Sequence, residues 1–166
     1  VIERFNGEWE DGVRATLAQA GMPTRFWPLA GPCHTFISNY KQYGREGTEF
    51  AESSRYAARH SQEYKGLRIP FGAAVRYIPL SERVETSKLD PRMRTGVFVG
   101  YRLKPGCFWN GEYLVLDLQF FDKMDLSIDS DLPIGLVAPE VVKTIHYDPK
   151  GSHHFPLKDR YDWFNG

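Results

Sequence analysis

The chain has 166 residues, 42% of them hydrophobic and 14% aromatic, and its 21 Lys or Arg balance 21 Asp or Glu. That hydrophobic content excludes a disordered chain and provides for one sizeable core or two small ones. The zero formal charge argues against the strong non-specific nucleic-acid affinity of a highly basic domain, and no run of about 18 apolar residues is present to span a membrane.

From Ile2 to Ala20 the apolar positions Ile2, Phe5, Trp9, Val13, Leu17 and Ala20 recur every three or four residues, which predicts a helix with one buried face. Gly21 and Pro23 end it. A second helix is expected after Pro23, capped by Thr24 and running through "RFWPLAGPCHTFISNY", with Gly31 and Pro32 kinking or dividing it. Trp9, Val13, Phe26 and Trp27 are assigned to packing, since aromatics at helical spacing are usually core.

Between residues 41 and 70 the periodicity fades into a linker with one short helix around Glu49 to Arg59. From Phe71 the pattern becomes "FGAAVRYI", "RTGVFVGYRL", "EYLVLDLQFFD" and "DLSID", short runs of strand-forming residues separated by Pro, Gly, Asp and Ser. Such a string predicts a small antiparallel barrel or sandwich. Asn110-Gly111 between two apolar runs reads as a type I′ hairpin turn, where both central residues need positive φ. The last segment, residues 139–166, mixes aromatics with turn residues and is expected to be an extended segment that can pack back on the barrel.

The charges are unevenly placed. Ala51 to Lys104 holds eleven Lys or Arg against five Asp or Glu, whereas Pro105 to Val142 holds one against seven. The balanced total therefore conceals a basic stretch and an acidic one. Cys33 and Cys107 lack metal or disulfide spacing and read as reduced thiols of an intracellular protein. Adjacent His153 and His154, with His146, lack the spacing of a metal pair.

Several blocks, taken in order, resemble the integrase region of copia-type LTR retrotransposon polyproteins. "VIERFN" resembles the family's Gly-Val-x-Glu-Arg-x-Asn helix, and "AGMPTRFWPLA" its Ala-Gly-Leu-Pro-x-x-Phe-Trp-x-x-Ala. "IPFGAAVRYI" is similar to its Phe-Gly-x-x-Val-Tyr segment, "KLDPRMRTGVFVGY" to its Lys-Phe-x-Pro-Arg-x-Lys-x-Gly-Ile-Phe-Leu-Gly-Tyr block, and "EYLVLDLQ" to the strand that follows. "SNYKQYG" stands where the family has Asn-Arg-x-Pro, a departure of the kind a divergent element shows.

The resemblance implies an α+β chain: N-terminal helices that complete an RNase H-like catalytic core over residues 1–40, the linker at 41–70, an SH3-like β-barrel at 71–138 and the tail at 139–166. By resemblance, Glu3 is the last carboxylate of the DDE triad and a ligand of Mg2+ in the complete integrase, whose two aspartates lie in an upstream core of the same polyprotein. Two-metal strand transfer needs clustered carboxylates from separate elements, so Glu3 alone is expected to be inactive. Arg4 and Asn6 beside it, and Lys88, Arg92, Arg94 and Arg102 approaching the barrel, are the expected DNA contacts. The implied partners are DNA, as element ends and target, and further copies of the chain, with action in the nucleus.

Phe98, Tyr101, Trp109 and Tyr113 either line a binding face or fill the barrel interior. A non-catalytic barrel that adapts protein or nucleic acid, and a decayed element, fit the same residues.

Overall fold

Helix α1 (Ile2–Ala20) covers the span its periodicity predicts, and Gly21 ends it in the left-handed conformation at φ 70°. Only its second half is buried, through Val13, Leu17 and Ala20, while Ile2 and Phe5 stay 76% and 60% exposed. A computed structural model of the chain describes residues 1–41, 53–79, 93–122, 124, 126 and 138–165.

A 3-10 turn at Thr24–Phe26 leads into α2 (Trp27–Lys41); Pro23, not Thr24, holds the capping position of the turn. Gly31 and Pro32, expected to kink or divide this helix, do not divide it: Pro32 lies inside one continuous helix. Gly31 has no Cβ to meet the proline ring, which removes part of the usual clash. The same residue lets α1 approach, because a Cβ there would lie 2.9 Å from Cζ2 of Trp9. Phe26, Ala30, Cys33, Phe36 and Tyr40 are buried and hold the helix on its neighbours. Trp27, expected in the core, is 57% exposed.

The short helix expected near residues 49–59 is observed as α3 (Arg55–His60), and residues 42–52 lie outside the described residues. Ser54 caps it: its Oγ accepts from the Ala57 N–H at 3.0 Å and donates to Oε2 of Glu63 at 2.9 Å.

Among the described residues five strands follow: β1 (Ala74–Tyr77), β2 (Arg94–Lys104), β3 (Phe108–Asp117), β4 (Glu140–Val142) and β5 (Ile145–His146). All pairings are antiparallel, in the order β4-β3-β2-β1-β5, so the chain is α+β. Of the strand expected at "DLSID", Leu126 is described and belongs to no strand, and the rest lies outside the described residues. β4 and β5 come from the tail, which packs back on the sheet as two short strands.

The sheet must curl strongly. β4 and β5 are at opposite edges yet are joined only by Lys143 and Thr144. In a flat five-stranded sheet those edges would lie roughly 19 Å apart, but the three peptide steps from Val142 to Ile145 reach only about 11 Å. Among the described residues no ladder joins β4 to β5. Where a small barrel was expected, the described residues form a curled antiparallel sheet whose two edges are tied by the chain itself.

The hairpin between β2 and β3 turns at residues 105–107, not at Asn110-Gly111. Lys104 pairs with Phe108 and Leu103 with Trp109, and Gly106 and Cys107 take positive φ of 82° and 61°. Gly111, at φ 86°, lies within β3 where the register shifts, so its positive φ serves a bulge. Pro105-Gly106 competes successfully for the turn because that register sets Trp109 beside Leu103 and lets its Nε1 donate to the Glu112 carbonyl at 2.7 Å.

Helices and sheet share one core. Phe98, Tyr101 and Tyr113 are buried and Trp109 partly so, which makes them interior residues. Phe36 and Tyr40 from α2 meet Tyr101 with ring centroids at 4.7 and 5.9 Å. The stretch before β1 is anchored there too, since Leu67 N–H donates to Tyr113 Oη at 2.9 Å and Ile69 N–H to Tyr101 Oη at 3.1 Å. Helix α4 (Pro156–Asn165) follows the strands, with Leu157 fully buried and its backbone set against Gly21 at the end of α1.

Candidate nucleic-acid interface

The three residues singled out at the chain start stand together on exposed turns of α1. Glu3 occupies the first turn, where a carboxylate complements the helix dipole. Arg4 donates from Nε to Glu8 Oε1 at 3.0 Å, a solvent-exposed i,i+4 pair of small energetic weight. Asn6 is exposed beside them. Among the described residues no group of three or more His, Cys, Asp or Glu is placed to hold a metal ion.

Of the basic residues assigned to the sheet, the two that are described, Arg94 and Arg102, are not gathered together. Arg94 and Arg102 sit toward opposite ends of β2, about 26 Å apart along the strand. Arg94 lies 4.0 Å from Oδ2 of Asp117, whose carboxylate also accepts from Tyr77 Oη at 2.8 Å. Burial, together with the neighbouring Asp117, pushes the Tyr77 hydroxyl well above its usual range and keeps it a donor. Arg94 thus faces a carboxylate already in place. Arg102 is exposed near the far end of the strand, and Lys88 and Arg92 lie outside the described residues.

At that far end the fold assembles a group the linear charge count did not single out. Helix α3 packs beside the β2–β3 hairpin: the Trp109 N–H donates to Tyr56 Oη at 3.3 Å, and the His60 and Phe108 rings meet edge-on at 5.3 Å. A Cβ on Gly106 would lie 3.8 Å from Nη2 of Arg59. Arg55 is one turn before Arg59 on the same helix, and Arg102 and Lys104 project from the same side of β2 near the hairpin tip.

Arg55, Arg59, Lys65, Arg102 and Lys104 are all exposed, and none has an ion-pair partner among the described residues. Among the described residues, the acids nearest to them in the chain are Glu63, which accepts from Ser54, and Glu112 in the bulge. The spacing of Arg55 and Arg59 on a helix was a legible signal. What brought their helix to the hairpin was the docking of Tyr56 and His60 on Trp109 and Phe108.

No described helix is long and apolar enough to cross a membrane. No family model, no curated protein and no solved structure matches this chain, so its own residues carry the functional case.

Proposed function

We propose that this chain is the integrase region of a copia-type retrotransposon polyprotein and that it binds DNA through the α3–hairpin patch. The observation that carries this reading is the set of exposed cations, Arg55, Arg59, Arg102 and Lys104, on helix α3 and the hairpin it packs against. Cations without carboxylate partners exchange condensed counterions for phosphates, and such contacts position a duplex without reading its sequence. The order of parts supports the reading as well: a helix headed by Glu3 and Arg4, a second helix, then the five-stranded curled sheet.

In this reading Glu3 supplies one carboxylate to a Mg2+ site completed by carboxylates from the upstream core. The described residues alone do not fit a metal pair, since no group of three ligands is present among them, and no catalytic step is assigned to this chain by itself. Arg4 and Asn6, next to Glu3, lie where DNA held at that site would pass. Self-association and action in the nucleus belong to the same proposal.

The test is a titration of duplex DNA across salt concentrations. Binding is expected at micromolar dissociation constants or weaker near physiological salt, in the range of non-specific binding generally. Replacing Arg55, Arg59, Arg102 and Lys104 with alanine should lower the affinity and flatten the salt slope by about 0.9 for each phosphate that is no longer neutralised. No binding at low salt, or a quadruple variant that binds like the parent, would overturn DNA binding by this patch and favour a non-catalytic adaptor.

A further inference from the structure

A cleft of about 340 Å³ opens between the outer face of β1 and the loop that follows β5. Three strands converge on it. Arg76 on β1 pairs across the sheet with His146 on β5 and with Thr95 on β2, so their side chains project from one face as direct neighbours. The loop contributes Tyr147, Asp148, Gly151, Ser152 and His154 as the opposite wall.

The loop is tied down at its far end and across its middle, and the strand that leads into it is held as well. Ala74 N–H donates to the His154 carbonyl at 2.8 Å, and Ile78 N–H donates to the Thr144 carbonyl, just before β5, at 3.3 Å. Inside the loop, Lys150 N–H donates to Asp148 Oδ1 at 2.9 Å, and Tyr147 Oη is hydrogen-bonded to His153 Nδ1 under two stacked, nearly parallel rings. The cleft is therefore set by backbone and ring contacts before any ligand arrives.

Hydrogen-bond donors dominate its walls. The carboxylate of Asp148 is turned into its own loop, and His154 is engaged by Asp159, with Nδ1 2.9 Å from Oδ2. Arg76 has no ion-pair partner among the described residues. A guanidinium fork, an imidazole and the hydroxyls of Thr95 and Ser152 give more donors than a carboxylate's two oxygens can use, whereas a phosphate group presents enough oxygens for all. The volume is at the lower end of those that enclose small ligands.

We propose that this cleft binds a phosphate group, with Arg76 as its main anchor and His146, Thr95 and Ser152 as further donors. It is separate from the α3–hairpin patch and does not depend on the DNA-binding reading. The phosphate belongs either to a free small molecule or to the 5′ end of a nucleic-acid strand.

The experiment is an NMR titration of the full chain with inorganic phosphate. Saturable shifts are expected, confined to residues around Thr95, His146, Gly151 and Ser152. Arg76→Lys keeps the charge but loses the fork, and Arg76→Ala loses both; tenfold or greater weakening is expected for Arg76→Ala, with a smaller loss for Arg76→Lys and for His146→Gln. Arg76 and His146 are exposed, so these variants should fold, which their unchanged spectra away from the cleft would verify. Arg59→Ala should leave the titration unaltered. Shifts that never saturate or spread over other surface cations, or an Arg76→Ala variant that binds like the parent, would overturn the site. A second arm compares 5′-phosphorylated and 5′-hydroxyl oligonucleotides with adenosine monophosphate: cleft shifts that are strongest for the phosphorylated oligonucleotide assign a strand end, and equal or stronger shifts with the mononucleotide assign a free phosphorylated molecule.

Discussion

The hydroxyls of Tyr40 and Tyr101 meet 3.0 Å apart inside the protein and link the end of α2 to the middle of β2. Tyr101 Oη also accepts from the Ile69 N–H at 3.1 Å, so one oxygen joins a helix, a strand and the segment entering β1. Tyr101→Phe removes that oxygen and leaves a buried backbone N–H without its acceptor. It should destabilise the fold by about 1–3 kcal/mol. Urea denaturation followed by tryptophan fluorescence checks this, and a change under about 0.5 kcal/mol would mean that water replaces the hydroxyl.

The same tyrosines make stability fall at alkaline pH. Burial pushes Tyr40 from 10.0 up to about 12, and burial likewise drives Tyr64, Tyr77 and Tyr101 upward. Between those pH values the unfolded chain releases tyrosine protons that the folded chain retains, so stability present below pH 10 is lost as pH rises. Each such tyrosine contributes a slope of about 1.4 kcal/mol per pH unit in that window. Tyrosinate absorbance should appear together with unfolding. A smooth tyrosinate titration of a protein that stays folded would contradict the burial of these hydroxyls.

Two helical glycines should respond oppositely to alanine. At Gly31 the new methyl would meet the Trp9 ring, and the cost should be about 1–3 kcal/mol. At Gly7 nothing lies within 4 Å, so alanine should gain up to about 1 kcal/mol from helix propensity alone. Thermal melts of Gly31→Ala and Gly7→Ala compare them, and equal shifts would mean that α1 and α2 are too far apart at Trp9 to touch.

The two cysteines should separate by reactivity. Cys33 is buried, which drives its thiol far above the usual range, whereas Cys107 is exposed at the hairpin tip. A thiol reagent should modify Cys107 first in the folded protein and reach Cys33 only on unfolding. Because Cys107 adjoins Gly106 and Lys104, a bulky anionic adduct there should weaken DNA binding by the α3–hairpin patch several-fold. Unchanged binding after full modification would move the DNA contact away from the hairpin.

Glu3 should be dispensable for DNA binding and insufficient for chemistry. Glu3→Gln is expected to leave the duplex titration unchanged, and the chain alone should give no DNA joining with magnesium or manganese. Metal-dependent joining by this chain, abolished by Glu3→Gln, would show that it assembles a complete metal site.

The local order of this protein was legible in its residues. The apolar spacing of α1, its stop at Gly21, and the β1, β2 and β3 runs depend on contacts within a few positions, where side-chain periodicity and glycine φ decide the outcome. Three features were settled only by long-range packing. Pro32 stays helical because Gly31 and the Trp9 contact let α2 run unbroken against α1. Asn110-Gly111 becomes a bulge because the pairing of Leu103 with Trp109 puts the turn at Gly106. The tail turns into β4, β5 and α4 because the curled sheet and the end of α1 offer them surfaces that no local pattern encodes. The functional surfaces follow the same division: charge runs show which residues are basic, but Arg94 is drawn to Asp117, Arg59 and Lys104 are brought to one hairpin, and Arg76 and His146 to one cleft, by strand register and helix docking across tens of residues. Side chains far apart in sequence become neighbours only once the core that joins their elements has formed.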